Sequence, residues 1–265
     1  MRWIVLALLV VLILLPFAWT LLASLRPEAE LFEGTLWPER FTLEHYAALF
    51  ESRDFLTPIR NSLVVAATTT LFCILVGTLA AYALARLHFR GRNAVLAFIL
   101  AVTMFPQISI VSPLFLLLRT LRLIDTYPGL ILPYLTFAMP LTVWLMVGYF
   151  RQIPVDIEEA ARIDGASRFT ILTRVVGPLA VPGIATTAIL TFIYCWNEFL
   201  FALSFTLGPD RQTVPVAIAL FRGRYQVPWG EILAAAIVAT IPVAALVLLF
   251  QRRIVQGLTS GAVKG

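Results

Sequence analysis

A polar segment that lies between two long apolar runs decides the fold of this chain. Residues 154–178 read PVDIEEAARIDGASRFTILTRVVGP. Asp156 is followed three residues later by Glu159, a capping-box pattern that predicts the start of a helix. Gly165 can end this helix because glycine readily adopts the left-handed conformation. The segment therefore begins with a predicted short helix and a turn.

A second short helix is predicted after the turn. Ser167 is a favourable N-cap residue, and Gly177-Pro178 predicts the end of the helix because proline interrupts the helical hydrogen bonds. Both helices carry apolar residues at a spacing of three to four. These residues are Ile157, Ala160 and Ala161 in the first helix, and Phe169, Leu172, Val175 and Val176 in the second.

Long apolar runs surround this segment on both sides. A helix needs about 20 apolar residues to cross the hydrocarbon layer of a bilayer, and six runs are long enough. They are residues 3–25, 59–85, 94–118, 127–150, 181–205 and 232–250. The sequence therefore predicts an all-α, polytopic membrane protein with six transmembrane helices and one domain, residues 1–265.

The composition requires an apolar surrounding. Of the 265 residues, 60% are hydrophobic and 13% are charged, and the mean hydropathy is +0.90. Soluble domains are closer to half apolar and a quarter charged. The net charge of +5 comes from arginines scattered between the apolar runs, whereas a nucleic-acid-binding protein needs a basic stripe on one face. We therefore expect contact with membrane lipid and none with nucleic acid.

Few residues of this chain could bind a cofactor or a metal ion. The single lysine, Lys264, is next to the C-terminal glycine, so the chain cannot form the G-x-x-x-x-G-K-[ST] phosphate loop. Cys73 and Cys195 lie inside apolar runs, and His45 and His88 lack metal-ligand spacing. We expect no cofactor, no metal site and no ATP hydrolysis by the chain itself.

The orientation follows from the basic residues of the short loops. With a cytoplasmic N-terminus, 11 of the 20 basic residues lie inside, and the short loop from Arg86 to Arg92 contributes most to this preference. Six spans then place both termini in the cytoplasm. We expect the first run to be retained as a helix, because it is longer than a signal-peptide core and no A-x-A site follows it.

Two loops on the predicted outer side are long. The first, Arg26 to Arg60, contains seven acidic residues along with aromatic ones, which predicts a small ordered cap. The second covers about residues 206–231, and long loops in compact chains are often functional.

Several residues within the predicted spans have two interpretations. Glu198 lies in the fifth run, and an ionisable residue within a span usually faces the interior of the helix bundle. Asn197 and Glu198 could bond a sugar hydroxyl and Trp196 could stack on a sugar ring, or Glu198 could form a structural bond to a neighbouring helix. Prolines interrupt runs three and four and fit either gate hinges or static kinks. They are Pro106, Pro113, Pro133 and Pro140.

The polar segment has two interpretations when the residues are considered alone. It could be a rigid helical knob that docks into a cleft of a soluble partner, or an amphipathic helix at the membrane interface. A resemblance favours the knob. Glu159-Ala160-Ala161, Gly165 and Pro178 have the spacing of the EAA loop of importer-type ABC permeases, although Val175 and Gly177 depart from the I-x-L-P ending. Trp196-Asn197-Glu198-Phe199-Leu200 and the tail Gly257–Gly265 resemble carbohydrate-uptake permeases of the maltose and trehalose type.

This resemblance implies a type I ABC importer permease fold and a set of partners. They are a second, different permease subunit, two ATP-binding cassette subunits and an extracytoplasmic sugar-binding protein, in the cytoplasmic (inner) membrane. The implied substrate is an α-linked disaccharide such as trehalose or maltose. Arg162 and Arg168 could contact acidic groups of the ATPase or anionic lipid.

The resemblance also implies three sets of site residues. ATPase coupling is expected from Glu159, Ala160, Ala161, Arg162, Asp164, Gly165 and Arg168, and the substrate pathway from Trp196, Asn197 and Glu198. The loop expected to contact the binding protein contributes Phe221, Arg222, Arg224, Tyr225 and Gln226. The tail is expected to reach between the two ATPases.

Two other classes of function remain as alternatives. A stand-alone secondary transporter of a small polar solute would favour coupling-ion carboxylates near mid-membrane and repeated halves. Only Glu198 fits that position, and no repeat is visible. An intramembrane enzyme would need a paired nucleophile and base within the spans, and no convincing pair is found.

Overall fold

The computed structural model describes residues 2–33, 37–221 and 227–259, with side chains described as far as residue 251. Within these residues every regular element is a helix. The α-helices are α1 (Arg2–Ser24), α2 (Glu44–Glu51), α3 (Leu56–Arg86), α4 (Arg92–Met104), α5 (Ile108–Thr120), α6 (Tyr127–Phe150), α7 (Asp156–Ile163), α8 (Arg168–Thr170), α9 (Gly177–Trp196), α10 (Leu200–Phe205), α11 (Val214–Ala219) and α12 (Trp229–Thr259). Short 3₁₀ turns cover Glu28–Phe32 and Pro209–Arg211, and a π-helical stretch, Ile171–Val176, joins α8 to α9.

Five helices in the described part of the chain are long and apolar enough to cross a bilayer. They are α1, α3, α6, the continuous helix Arg168–Trp196, and Trp229–Gln251 of α12. The pair α4 and α5 passes the same test together, but its two helices are bent by 95°. The predicted all-α fold with six apolar spans is confirmed when this pair counts as one broken span.

The third apolar run, 94–118, differs most from a straight helix. Phe105 has an extended backbone (φ −74°, ψ 129°) between α4 and α5, because proline disfavours the helical conformation in the residue before it, and here Pro106 follows. Pro113, in contrast, stays inside α5. Pro133 and Pro140 stay inside α6, whose bounds are those of the predicted run. Of these prolines, only Pro106 coincides with a break.

The fifth apolar run, predicted at 181–205, is displaced along the chain. The spanning helix begins at Arg168 and ends at Trp196, and a break of three residues precedes the short helix α10. The prediction that Glu198 lies within this helix is therefore wrong. The helix starts early because the π-helical stretch continues the polar segment directly into the span.

The centre of the bundle is α3, which packs against α6 and α9. Small residues allow these helices to approach closely, as is common in membrane bundles. A Cβ atom added at Gly77 of α3 would lie 2.9 Å from Thr142 Cγ2 of α6, and one at Gly183 of α9 would lie 2.3 Å from Tyr149 Cγ. Thr142 and Thr191 also share a buried hydrogen bond of 2.9 Å. The apolar stretch of α1, in contrast, is exposed on all sides.

The predicted cap, in the loop Arg26–Arg60, is confirmed as an ordered element in its described residues. The Glu28 carboxylate accepts hydrogen bonds of 3.0 Å from the backbone N–H groups of Trp229 and Gly230, at the start of α12. Arg53 forms an ion pair of 2.7 Å with Glu231. These contacts attach the cap to the start of the last span.

Candidate functional site

The first helix of the polar segment, α7, starts without the predicted cap. Its N-cap is Val155 and no side chain caps it, so the predicted capping box of Asp156 with Glu159 is wrong. Asp156 instead lies in the first helical turn together with two glutamates. Acidic side chains in this position are stabilised by the positive end of the helix dipole. The same sequence pattern thus supports the helix start by a different interaction.

The turn after α7 forms as predicted. Gly165 has φ +82°, its N–H donates to Arg162 O, and Ala166 N–H donates to Ala161 O, both at 3.0 Å. This pair of bonds is the Schellman motif, which satisfies the last carbonyl groups of a helix. No atom lies within 4 Å of a Cβ added at Gly165. The glycine is therefore required by backbone conformation and not by lack of space.

The second helix starts as predicted but does not stop where predicted. Ser167 Oγ accepts a hydrogen bond of 3.2 Å from Thr170 N–H, which confirms its capping role. The chain then passes through the π-helical stretch into α9 without a break, so the predicted stop at Gly177-Pro178 is wrong. Pro178 is the second residue of α9, directly after the π-helical stretch, and it does not end the helix. The turn at Gly165 is therefore connected to a membrane span by continuous helix.

A buried carboxylate that the sequence analysis missed fastens α7 to the bundle. Glu158 is 0% exposed, and its Oε1 accepts a hydrogen bond of 2.5 Å from Arg86 Nε at the end of α3. Its Oε2 accepts a bond of 2.9 Å from the hydroxyl of Tyr82. Arg86 Nη2 also donates to Ile153 O at 2.6 Å. The only available signal was the spacing of Glu158 and Ala161, which share a helix face and turn toward the bundle.

The apolar face predicted for α7 is therefore misplaced. Ile157 and Ala160 are exposed, and only Ala161 is partly buried. The exposed side of the segment also contains Ile163, 87% exposed, and Phe169, 71% exposed. The surface of this turn thus combines large apolar side chains with charged ones.

The structure places the predicted coupling residues on that same surface. They surround the turn at Gly165 and are exposed, apart from the partly buried Ala161. The set is Glu159, Ala160, Ala161, Arg162, Asp164, Gly165 and Arg168. Every titratable side chain in this set is therefore exposed at the surface of the chain.

The second predicted site lies at the opposite end of α9. Glu198 is 8% exposed, and its carboxylate accepts hydrogen bonds from Phe201 N–H (2.8 Å) and Ala202 N–H (3.2 Å). It therefore satisfies the first N–H groups of α10, which otherwise lack partners. Of the two interpretations of Glu198, the geometry favours a structural one, in which its carboxylate holds the start of the next helix.

The other two members of this site differ in exposure. Trp196 is 3% exposed and stacks on Phe192, with ring centroids 5.8 Å apart. Asn197 is exposed and donates a hydrogen bond of 2.8 Å to Ile193 O. Both residues line a cavity of about 360 Å³ that Thr240 of α12 also borders. This cavity could accept a polar ligand through the free amide oxygen of Asn197.

Most of the candidate contact residues in the predicted binding-protein loop, about residues 206–231, lie outside the described residues. Arg222, Arg224, Tyr225 and Gln226 belong to that undescribed part, as does the tail from residue 260. Phe221 is described, and the guanidinium of Arg53 lies 5.0 Å from the centre of its ring. Phe221 thus attaches this loop to the cap.

Comparisons with known proteins agree with this geometry. Residues 73–260 match the family model described as "Binding-protein-dependent transport system inner membrane component". The chain is 47% identical to the trehalose transport system permease protein SugB of Mycobacterium tuberculosis, over 95% of this chain and 93% of that protein. It is 41% identical to the trehalose/maltose transport system permease protein MalG of Thermococcus litoralis, over 97% and 94%.

A solved structure shares the fold. The chain superposes with a TM-score of 0.79 on a chain of a bacterial ABC transporter involved in the import of the acidic polysaccharide alginate. The match covers 95% of this chain and 94% of the other at 23% identity, and it confirms the type I ABC importer permease fold. The family model covers well over half of the chain, and both relatives exceed 40% identity over nearly all of it. The chain therefore belongs to the family of binding-protein-dependent transport system inner membrane components.

Proposed function

We propose that this chain is one half of the translocation pore of an ATP-driven sugar importer, and that it is moved by an ATPase bound at the turn around Gly165. The observation that carries the proposal is the exposed helix–turn–helix of residues 156–176, in which Ile163 and Phe169 extend into solvent. Exposed apolar side chains of this size are typical of protein–protein contact sites. The turn is rigid, because hydrogen bonds close it at both ends.

The proposed partners are a second, different permease, two ATP-binding cassette subunits and an extracytoplasmic sugar-binding protein. The chain acts as a passive pore subunit, and the ATPase subunits hydrolyse ATP. Glu159, Arg162 and Arg168 supply the polar contacts to the ATPase. Both termini face the cytoplasm, which places the Arg86–Arg92 loop on the same side as the coupling turn. The stand-alone secondary transporter is not supported, since the relatives above are permeases of transport systems.

The proposed substrate is an α-linked disaccharide such as trehalose or maltose. Two relatives, at 47% and 41% identity, are named for trehalose or for trehalose and maltose. On this chain, the cavity bordered by Trp196 and Asn197 is our candidate for the substrate pathway, and the neighbouring Glu198 holds the start of α10. The second predicted outer loop, about residues 206–231, is proposed to contact the sugar-binding protein, with Phe221 as one of its contact residues.

Uptake by proteoliposomes tests the proposal. The chain is purified with its partner permease and ATPase subunits, reconstituted, and supplied with binding protein and labelled trehalose or maltose. We expect uptake only with ATP inside the compartment that holds the ATPases. Uptake without ATP, or without an ATPase subunit, would contradict the proposed function. An assembly that transports neither sugar but another solute with ATP would contradict the substrate class alone.

A further inference from the structure

The helix α3 is fastened at both of its ends to loops that carry proposed partner contacts. At one end, Arg86 binds the coupling helix through Glu158 and also binds Ile153 O. At the other end, the buried Asn61 and Ser62 bind residues 210–214 of the second predicted outer loop, about residues 206–231, which is proposed to contact the sugar-binding protein. We propose, on the basis of the function proposed above, that α3 is a strut that links the ATPase-binding turn to the loop contacting the sugar-binding protein.

The attachment at the coupling helix uses a buried ion pair. The side chain of Arg86 is 6% exposed and that of Glu158 is 0% exposed. Each charge therefore depends on the other, since a single buried charge is strongly unfavourable. Both carboxylate oxygens are occupied, one by Arg86 and one by Tyr82, and both donors belong to α3. The coupling helix thus cannot move away from α3 without exposing or separating these charges.

The attachment at the opposite end is made of hydrogen bonds. Asn61 Nδ2 donates to the carbonyl oxygens of Asp210 and Gln212, both at 2.9 Å. Ser62 Oγ accepts a bond of 2.8 Å from Val214 N–H. Asn61 is fixed in turn by the hydroxyl of Tyr127, which donates to its Oδ1 at 2.7 Å. The loop therefore keeps a fixed position relative to the end of α3.

The helix between these attachments can transmit a displacement. Asn61 and Arg86 are about 38 Å apart along the helix axis, at about 1.5 Å per residue. α3 runs as one helix from Leu56 to Arg86 without an internal proline break, and its packing against α6 and α9 supports it along its length. A rigid element fixed at two sites couples them, because each site biases the position of the same body.

The experiment measures how strongly loaded sugar-binding protein stimulates ATP hydrolysis by the reconstituted assembly. Arg86→Gln breaks one attachment and Asn61→Ala the other. We expect each to lower the stimulated-to-basal ratio by roughly 2- to 30-fold, which is the usual range for mutations that alter coupling between sites. Where Arg86→Gln prevents assembly, Arg86→Lys keeps the buried cation but loses the second bond to Ile153 O.

The double variant gives the decisive result. If α3 acts as one strut, removing the second attachment lowers the stimulated-to-basal ratio little further once the first attachment is lost. The effects of the two substitutions are then not additive. Additive effects on this ratio, or unchanged stimulation in both single variants, would contradict the proposal that α3 is a strut. The matched controls are Arg90→Gln, in the loop after α3, and Asn93→Ala, in the first turn of α4. Both side chains are exposed, and we expect near-normal stimulation in both variants. An unmutated assembly that shows no ATP-driven uptake would instead contradict the proposed function.

Discussion

Two buried glutamates, Glu158 of α7 and Glu198 just after α9, show how differently one side chain can be used. Glu158 is bound by Arg86 and Tyr82, more than 70 residues away in the chain. Glu198 is bound by backbone N–H groups three and four residues further along. The first joins two distant elements, whereas the second completes the start of its own next helix. The partner of a buried carboxylate, and not its depth in an apolar run, indicates what the residue does.

The largest effect is expected from Glu158→Gln. The substitution leaves Arg86 as a buried charge without its counter-ion, and breaking such a pair costs about 3–5 kcal/mol. The thermal unfolding of the purified assembly in detergent measures the loss as a lower midpoint. A midpoint equal to that of the unmutated assembly would show that the pair contributes nothing to stability.

A smaller effect is expected from Glu198→Gln. With the side chain in the same rotamer, an NH2 group that cannot accept replaces one carboxylate oxygen, so either Phe201 N–H or Ala202 N–H loses its acceptor. A buried donor without a partner costs about 1–3 kcal/mol. The same unfolding measurement should show a shift smaller than that of Glu158→Gln, and sugar uptake should persist. Complete loss of uptake in a stable Glu198→Gln assembly would restore a direct transport role for this carboxylate.

Tyr82→Phe separates the two contacts of Glu158. The variant removes the hydroxyl bond to Oε2 but leaves the ion pair with Arg86 intact. We expect a loss of about 1 kcal/mol, the net value of a typical hydrogen bond. A loss as large as that of Glu158→Gln would mean that the tyrosine, and not the arginine, holds the coupling helix.

The smallest effect on stability is expected from Glu159→Gln, the exposed neighbour of Glu158. Substitutions of surface residues usually change stability by less than about 0.5 kcal/mol. Because Glu159 is a proposed ATPase contact, the variant should instead weaken co-purification of the ATPase subunits. A large drop in the unfolding midpoint without any loss of bound ATPase would reverse the roles given to Glu158 and Glu159.

Local patterns predicted much of this fold because they depend on neighbours in the chain. The apolar run 127–150 coincides with α6, and the roles of Gly165 and Ser167 follow from the backbone conformation and from a bond within three residues. The break at Phe105 also has a local cause, since Pro106 follows it. Such features can be seen in a sequence because the interacting groups lie close together in it.

Features that depend on distant residues were missed. No local pattern pairs Glu158 with Arg86, because the ion pair forms only when α3 and α7 meet. The π-helical stretch was missed for a related reason, since the packing of Ile171, Leu172 and Val176 in the core favours continuous helix. The end of the fifth span at Trp196 was hidden because the apolar residues of α10 follow after only three residues and extend the apolar run to residue 205.

The most direct test of the account compares two glycines. Gly165 and Gly91 both have positive φ, +82° and +90°, and no atom lies within 4 Å of a Cβ added at either. Valine at either position thus strains the backbone by a similar amount, about 1–2 kcal/mol. Only Gly165 lies in the proposed ATPase contact. Sugar uptake per ATP hydrolysed is measured for both variants in the reconstituted assembly. We predict that Gly165→Val loses uptake and that Gly91→Val keeps it. Equal uptake in the two variants would contradict the coupling role of the turn.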